Sequence, residues 1–155
     1  MKTNKKSFFL FIILFFIFSI SLHAQEYHKV TRVIDGDTFV IENGEHVRFI
    51  GIDTPETVKP NTPVQYYGKE ASNFTKKLLT GKKVRLDYDF QIRDKYSRLL
   101  AYVYLDSLFV NAELARLGYA RLMTIPPDTR YSKLFEKLIN EAKQKKLGLW
   151  KTKSK

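Results

Sequence analysis

Residues 27–52 read YHKVTRVIDGDTFVIENGEHVRFIGI, which is three short runs of β-branched and aromatic residues separated by two tight-turn signals. The runs cover 27–35, 38–42 and 46–52, and this composition favours β-strands. Asp35-Gly36 and Asn43-Gly44 lie between them, and such pairs suit tight hairpin turns because glycine adopts positive φ at no steric cost. The sequence therefore predicts three strands joined by short turns at this end of the chain.

The apolar spacing changes to a helical period after residue 63. Tyr67, Ala71, Phe74 and Leu78 step by 4, 3 and 4 and predict a helix that stops at Gly81. Runs 83–88 and 99–105 predict two more strands. Two further helices are predicted from the apolar positions Val110, Leu114, Leu117, Phe135, Leu138, Ile139 and Ala142. The order βββ-α-ββ-α-α predicts an α+β, mainly β protein: a five-stranded Greek-key barrel of the oligonucleotide-binding (OB) fold with three helices.

The first 24 residues have the layout of a secretory signal peptide. Three lysines precede an unbroken apolar run over 8–18, and small and polar residues then lead to a cleavage site after Ala24. The run is shorter than the about 20 apolar residues of a membrane span. We therefore expect residues 1–24 to be a signal peptide, residues 25–155 to form one domain, and the protein to be secreted or periplasmic. An uncleaved membrane anchor stays open, because Leu22 is larger than the small residue usual three positions before a cut.

The composition limits the classes of protein to consider. Without the leader, 131 residues remain, a size typical of one domain with a single core, and the net charge falls from +11 to +8. A basic exported protein attracts polyanions such as nucleic acid, anionic lipid or acidic polysaccharide. The chain has no cysteine, which excludes disulfides, and neither His28 nor His46 has the neighbours of a zinc-type site.

Five charged residues in three short segments form the candidate site. They are Asp37, Arg48, Asp53, Glu56 and Arg98. Each segment alone has an ordinary explanation as turn chemistry or a solvated charge. Their chemistries are complementary, however, because two carboxylates can hold a hard cation, a third can handle a proton, and two guanidinium groups can grip a phosphate. Together these residue types point to cleavage of a phosphodiester.

The same segments resemble those of the thermonuclease (staphylococcal nuclease-like) family. The matching stretches are IDGDT at 34–38, Arg48 followed by DTPE at 53–56, YG at 67–68 with EA at 70–71, FTKK at 74–77, DKY at 94–96 with Arg98, LAYVY at 100–104, VN at 110–111 and KLGLW at 146–150. The likeness covers nearly all of the exported part, in order and with few length changes. Several motifs that follow one another in the same order are a far more specific signal than any single motif.

By that resemblance, Asp37 and Asp53 would be calcium ligands, with the backbone carbonyl of Thr54 as a third, and Asp35 would stand behind them. Calcium takes about six to eight oxygen ligands, so three protein oxygens leave most positions to water and to the substrate phosphate. Such a site is expected to bind Ca²⁺ weakly. A weak site suits the outside of the cell, where calcium is abundant, and this agrees with the leader.

The resemblance also implies the catalytic roles. Glu56 would be the general base, either directly or by orienting the attacking water. Arg48 and Arg98 would hold the scissile phosphate, since the planar arginine fork matches phosphate oxygens and keeps its charge. Lys95 and Tyr96 would border the adjoining nucleotide. The activity so implied is a secreted, calcium-dependent endonuclease that leaves 3′-phosphate ends.

One departure from the family concerns the bases. The family often places two tyrosines, one residue apart, after the short helix, and this chain has MTIP at 123–126 instead. Tyr119 and Tyr131 are the candidates to replace them. Stacking is worth about 1–3 kcal/mol per base, so its loss would weaken the grip on substrate more than the chemistry. No base-reading motif is visible, and we expect a monomer that cuts DNA and RNA with little sequence preference, favouring single strands.

Two alternatives stay open. One is a nucleic-acid-binding module on the same fold with its catalysis lost, although relatives of that type lack some of the five residues and this chain has all of them. The other is a membrane-tethered form, either of the same nuclease or of a surface protein that binds acidic polymers through charge and does not need Asp37 or Glu56.

Overall fold

Five β-strands close into a barrel in the computed structural model, which describes residues 26–57 and 63–151. The strands are β1 (Tyr27–Asp35), β2 (Thr38–Ile41), β3 (His46–Phe49), β5 (Lys83–Asp87) and β6 (Leu99–Leu105). Strand β1 pairs antiparallel with β2 and β5, β2 pairs with β3, and β5 pairs with β6. A parallel pairing of β3 with β6 closes the ring. This is an OB-type barrel, so the predicted fold class is confirmed.

The three predicted helices are also present. They are α1 (Gly68–Leu79), α2 (Val110–Arg116) and α3 (Ser132–Gln144). Each turns one apolar stripe inward, which is how a helix is stabilised on a barrel. The buried side chains on these faces include Ala71, Leu79, Val110, Leu114, Phe135, Ile139 and Ala142. A final 3₁₀ turn, Gly148–Trp150, packs back on the body, where the Leu149 N–H donates to the carbonyl of Gly118 at 2.9 Å.

The prediction of one strand over 46–52 was wrong. The structure ends β3 at Phe49 and begins a separate strand, β4 (Gly51–Asp53). Gly51 has φ +82°, a conformation that redirects the chain and that a side chain would oppose. Strand β4 leaves the barrel and pairs antiparallel with β8 (Arg121–Met123), which was not predicted, and the short β7 (Leu108–Phe109) extends the β6 edge. The break carries Asp53 away from the barrel wall.

A fully buried amide joins the barrel to α2. The Asn111 Oδ1 accepts from the Val103 N–H at 2.8 Å, while its Nδ2 donates to the carbonyls of Ile50 at 3.0 Å and Ala101 at 3.4 Å. The side chain therefore satisfies backbone groups beside the point where β3 gives way to β4. Buried polar groups without such partners would cost about 1–3 kcal/mol each.

The predicted signal peptide, residues 1–24, lies outside the described residues. Across 26–57 and 63–151, no helix combines the length and the apolar character that a bilayer crossing requires. The described part of the predicted domain 25–155 is one barrel with its helices.

Candidate active site

The guanidinium of Arg48 joins the two predicted metal-binding carboxylates. Its Nη1 is ion-paired with Asp37, and its Nη2 donates to Asp53 Oδ1 at 2.7 Å. Thr38 pairs with Arg48 across β2 and β3, which places the end of the β1–β2 turn beside this side chain. Burial by itself would lower the pKa of Arg48, but Asp37 and Asp53 outweigh it and raise that pKa above its ordinary value. The arginine is therefore charged at any working pH and is held from both sides.

Asp37 is buried and fixed by the chain that follows β4. Its Oδ2 accepts from the Thr54 N–H at 2.7 Å and from the Thr54 hydroxyl at 2.9 Å, and its Oδ1 accepts from the Thr38 hydroxyl at 3.0 Å. Gly36 permits this approach, because a Cβ there would lie 2.6 Å from Thr54 Oγ1. Asp37 thus contacts Thr54 directly and shares Arg48 with Asp53, while the binding of calcium by these residues and by the Thr54 carbonyl stays a prediction.

Asp35 fixes the loop that carries Glu56. Its two carboxylate oxygens accept from the hydroxyl and the backbone N–H of Thr57, and it also accepts from the Gly36 N–H at 2.8 Å. On the other side, the Glu56 carbonyl accepts from the Gln65 N–H at 3.0 Å. Asp35 therefore positions the residue next to Glu56, and its predicted place behind the calcium ligands stays a prediction.

The side chain of Glu56 lies partly exposed in an acidic neighbourhood. Burial raises its pKa above the ordinary value of 4.5, and the nearby carboxylates Asp35, Asp37 and Asp53 raise it further, while Arg48 opposes them. A carboxylate with a raised pKa holds a proton more readily. General bases work best when their pKa approaches the operating pH, so the direction of this shift suits proton abstraction.

Arg98 lies at the start of β6 on a loop built around Asp94. Asp94 Oδ2 accepts from Arg98 Nε at 2.7 Å and contacts Nη2 at 2.6 Å, while Oδ1 accepts from the backbone N–H groups of Tyr96 and Arg98. Burial alone would raise the pKa of Asp94, but the hydrogen bonds from Arg98 and Tyr96 outweigh it, and the net pKa lies below the ordinary value. The side chain of Asp94 thus sets the direction of the arginine.

A cleft of about 490 Å³ brings the two arginines together. Arg48 and Arg98 line it with Lys95 and Tyr96, and Tyr96 is 67% exposed. Asp35, Asp37, Asp53 and Glu56 are not among its lining residues. Asp37 and Asp53 adjoin the cleft through Arg48, which contacts both.

The segment after α2, where the resemblance predicts a pair of tyrosines, lines the cleft with aliphatic side chains. Met123 and Ile125 line the cleft, and Arg48 Nη2 lies 3.4 Å from Met123 Sδ. Tyr119 stacks on Phe74 at 4.7 Å between ring centroids, and Tyr131 packs against Tyr102 at 4.6 Å. Neither Tyr119 nor Tyr131 lines the cleft, so the structure does not place either of them where a base would stack.

Several contacts at this site were not predicted. Thr57 and Asp94 are the partners of Asp35 and Arg98, and both stand close in sequence to residues that were singled out. The position of Thr57 next to Glu56 was a usable signal. Asp128 is different, because its Oδ1 accepts from the Gln91 N–H across 37 residues, and no local pattern indicates such a contact.

The oxygen atoms of the predicted metal site match the needs of a hard cation only in part. Within 26–57 and 63–151, no group of three or more His, Cys, Asp or Glu side chains is arranged to hold a metal. Asp37 and Asp53 nevertheless contact one shared guanidinium, so two carboxylates are close enough to share one cation. With the carbonyl of Thr54 they would supply oxygen ligands only, the type that Ca²⁺ takes.

Comparison with known proteins identifies the family. A sequence profile described as "Staphylococcal nuclease homologue" matches residues 46–152, a range that includes Arg48, Glu56 and Arg98. The chain is 55% identical over 128 residues to a thermonuclease of Staphylococcus intermedius and 49% identical over 129 residues to one of Staphylococcus hyicus; each match covers 81% of this chain and 76% of the relative. It is 47% identical over 124 residues to the endonuclease YncB of Bacillus subtilis, which covers 77% of this chain and 59% of that protein. The chain therefore belongs to the staphylococcal nuclease family and is an enzyme that hydrolyses phosphodiester bonds.

Proposed function

We propose that this nuclease is a secreted, calcium-dependent endonuclease that cuts DNA and RNA with little sequence preference and leaves 3′-phosphate ends. The observation that carries the proposal is the convergence of Arg48 and Arg98 on one cleft, with Asp37 and Asp53 both in contact with Arg48. Two fixed guanidinium groups match the charge of a phosphodiester and of the transition state derived from it. Tyr96 and Lys95 border the same cleft and would contact the adjoining nucleotide.

Asp37, Asp53 and the carbonyl of Thr54 would hold the metal. When bound, Ca²⁺ would polarise the scissile phosphate and neutralise part of its charge. Few protein oxygens imply weak binding, and extracellular calcium modules work with dissociation constants of about 10⁻⁴–10⁻³ M. The predicted leader at residues 1–24 agrees with such a location.

Glu56 would accept the proton of the attacking water, or orient that water, as its oxygen bonds to phosphorus. The bond from phosphorus to the 5′ oxygen then breaks, which leaves a 3′-phosphate on one product and a 5′-hydroxyl on the other. Arg98 meets Asp94 through Nε and Nη2, so its Nη1 edge is the one that would face a phosphate oxygen. These donors are held before substrate arrives, which limits reorganisation in the transition state.

A direct test uses protein without residues 1–24 and single-stranded DNA, with calcium or with excess chelator. Cleavage that requires calcium and that falls by about 10²–10⁴-fold in Glu56→Gln supports the assignment of the base. Arg98→Ala should lose a comparable factor. Tight binding without cleavage at any calcium concentration would instead favour a nucleic-acid-binding module.

The finer parts of the proposal have their own measurements. Labelling of the products by a 5′-kinase without prior phosphatase treatment would show 5′-hydroxyl ends, and parallel assays with RNA and duplex DNA would rank the substrates. Sedimentation would test the expected monomer. Mass analysis of exported protein should find Gln25 as the first residue, and recovery of the full-length chain in membranes would mean an anchor.

A further inference from the structure

An ion pair outside the predicted site links two distant parts of the chain. Arg93 Nη1 lies 2.6 Å from Glu45 Oε2, and Arg93 Nη2 lies 3.0 Å from Glu45 Oε1, so the fork meets both carboxylate oxygens across 48 residues. The backbone of Glu45 is held as well, by the Asn43 side chain at 3.0 Å and by the Ile41 N–H at 3.0 Å. The hydrogen bond from Arg93 is the main reason that the pKa of Glu45 lies below its ordinary value.

The pair connects the residue before β3 with the loop that leads into β6, and β3 and β6 are the parallel strands that close the barrel. Glu45 directly precedes β3, which carries Arg48, while Arg98 directly precedes β6. Strands β3 and β6 are in register through three residue pairs, from Val47 with Leu99 onward. Parallel strands begin at the same end of a sheet. A contact that holds the first residues of β3 and β6 in place therefore also holds the distance between Arg48 and Arg98.

Arg93 also holds the loop that carries Arg98. Its Nη1 donates to the carbonyl of Ser97 at 2.8 Å, one residue before Arg98. Ser97 has φ +63°, a conformation that is uncommon for a non-glycine residue and needs support from its surroundings. Glu45, Tyr96 and Arg98 line the same open groove of about 400 Å³, so the pair adjoins the substrate-facing residues.

We propose that Glu45 and Arg93 are positioning residues that set the spacing of the two phosphate-binding arginines. The inference rests on the proposed function of Arg48 and Arg98. Exposed ion pairs contribute little to stability, and Arg93 is 45% exposed at its side chain, so a role in overall folding would be small. Misplacing a catalytic group by about 1 Å can cost about a hundredfold in rate, so the same pair can matter greatly for the reaction.

The test uses the full chain with Glu45→Gln and Arg93→Met. Glu113→Gln is the matched control, because Glu113 and Arg116 form another two-point ion pair, with contacts of 2.6 and 2.8 Å on α2. We expect each test variant to lower kcat/KM on single-stranded DNA by about tenfold. The control should stay within twofold of the parent, and all variants should keep the parent's unfolding midpoint.

A second background separates positioning from general disruption. Lysine reaches a phosphate through a flexible stem and needs less exact placement than the arginine fork. Glu45→Gln should therefore cost less than threefold when added to Arg98→Lys. An equal tenfold loss in that background, or a Glu45→Gln variant indistinguishable from Glu113→Gln, would overturn the proposal. If the parent does not cleave, the proposed function fails on its own; weaker binding of single-stranded DNA by Glu45→Gln than by Glu113→Gln would then support the pair, and equal binding would overturn it.

Discussion

Asp35 accepts two hydrogen bonds from Thr57, one from the threonine hydroxyl at 2.8 Å and one from its backbone N–H at 3.0 Å. One carboxylate at the end of β1 thereby fixes the loop that carries Glu56. Asp35 bonds Thr57, the residue after Glu56. It therefore positions the proposed base indirectly, through the neighbour of that base in the sequence.

Thr57→Val removes the hydroxyl bond and keeps the shape of the side chain. We expect kcat on single-stranded DNA to fall about three- to tenfold with little change in KM, because Glu56 loses part of its support. The free energy of unfolding should fall by about 1 kcal/mol. Thr31→Val is the control, because the Thr31 hydroxyl bonds the Val40 carbonyl at 3.1 Å in the barrel, and it should lower stability without lowering kcat. Equal kcat losses in both variants would contradict a role for the Asp35–Thr57 contact.

Gly36→Ala should damage the proposed metal site. The new Cβ would lie 2.6 Å from Thr54 Oγ1, which is too close, so Thr54 must shift away from Asp37. We expect the calcium concentration for half-maximal activity to rise several-fold, with a stability loss of about 1–3 kcal/mol from the overpacking. Gly81→Ala is the comparison: φ is +76° there and nothing lies within 4 Å of the new Cβ, so stability falls by strain while the calcium requirement stays unchanged.

The Asp94–Arg98 contact predicts a pH dependence of stability in calcium-free buffer. The pKa of Asp94 is lower in the folded protein than its ordinary value of 3.8, so its contribution is fully present above that value and is lost as pH falls through the lower, folded pKa. Asp94→Asn should cost about 2 kcal/mol of unfolding free energy near pH 7. The difference between parent and variant should shrink toward zero in strong acid, where Asp94 is protonated in both states. Urea unfolding at several pH values measures it, and a difference that does not change with pH would refute the ionic origin.

Ile125→Tyr should tighten binding of single strands. Ile125 is 55% exposed and lines the cleft, so a ring there can stack on a base without entering the core. Stacking is worth about 1–3 kcal/mol, and KM should fall between about fivefold and a hundredfold with a smaller effect on kcat. Leu134→Tyr, at an exposed position of α3 outside the cleft, should leave KM unchanged. If both substitutions lower KM equally, the gain is a non-specific surface effect.

The elements with a clear run of β-branched and aromatic residues, or a clear helical stripe, were predictable from the sequence. Strands 27–35 and 99–105 agree with the structure at both ends, and the stripes through Ala71 and Phe135 mark buried helix faces. The division of 46–52 was not predictable, because both sides of the break are apolar and the difference lies in the backbone of Gly51. Strand β8 was missed for a related reason: its pairing with β4 is the product of that break, and its residues are all exposed.

The candidate site also has features that could be predicted from the sequence and features that could not. Asp37 and Arg48 could be singled out by residue type and by the resemblance, and the structure brings their side chains together, while their roles stay predictions. The contacts of Arg93 with Glu45 span 48 residues and depend on which strands close the barrel, so no local pattern could indicate them. The position of Tyr119, stacked on Phe74 away from the cleft, likewise depends on how α1 and α2 pack.

Asn111 has a consequence for which sequences this fold can accept. Its Nδ2 donates two hydrogen bonds and its Oδ1 accepts one, and the side chain is buried away from water. Aspartate would lose both donors, leucine would keep the size and lose every bond, and glutamine would add a methylene to a space with no room for it. Libraries that randomise this position should therefore return asparagine almost alone, while surface positions of the same helix drift freely. Conversion of this amide to a carboxylate during ageing or storage should destabilise the fold, because both donated hydrogen bonds are lost, with every proposed catalytic residue still intact.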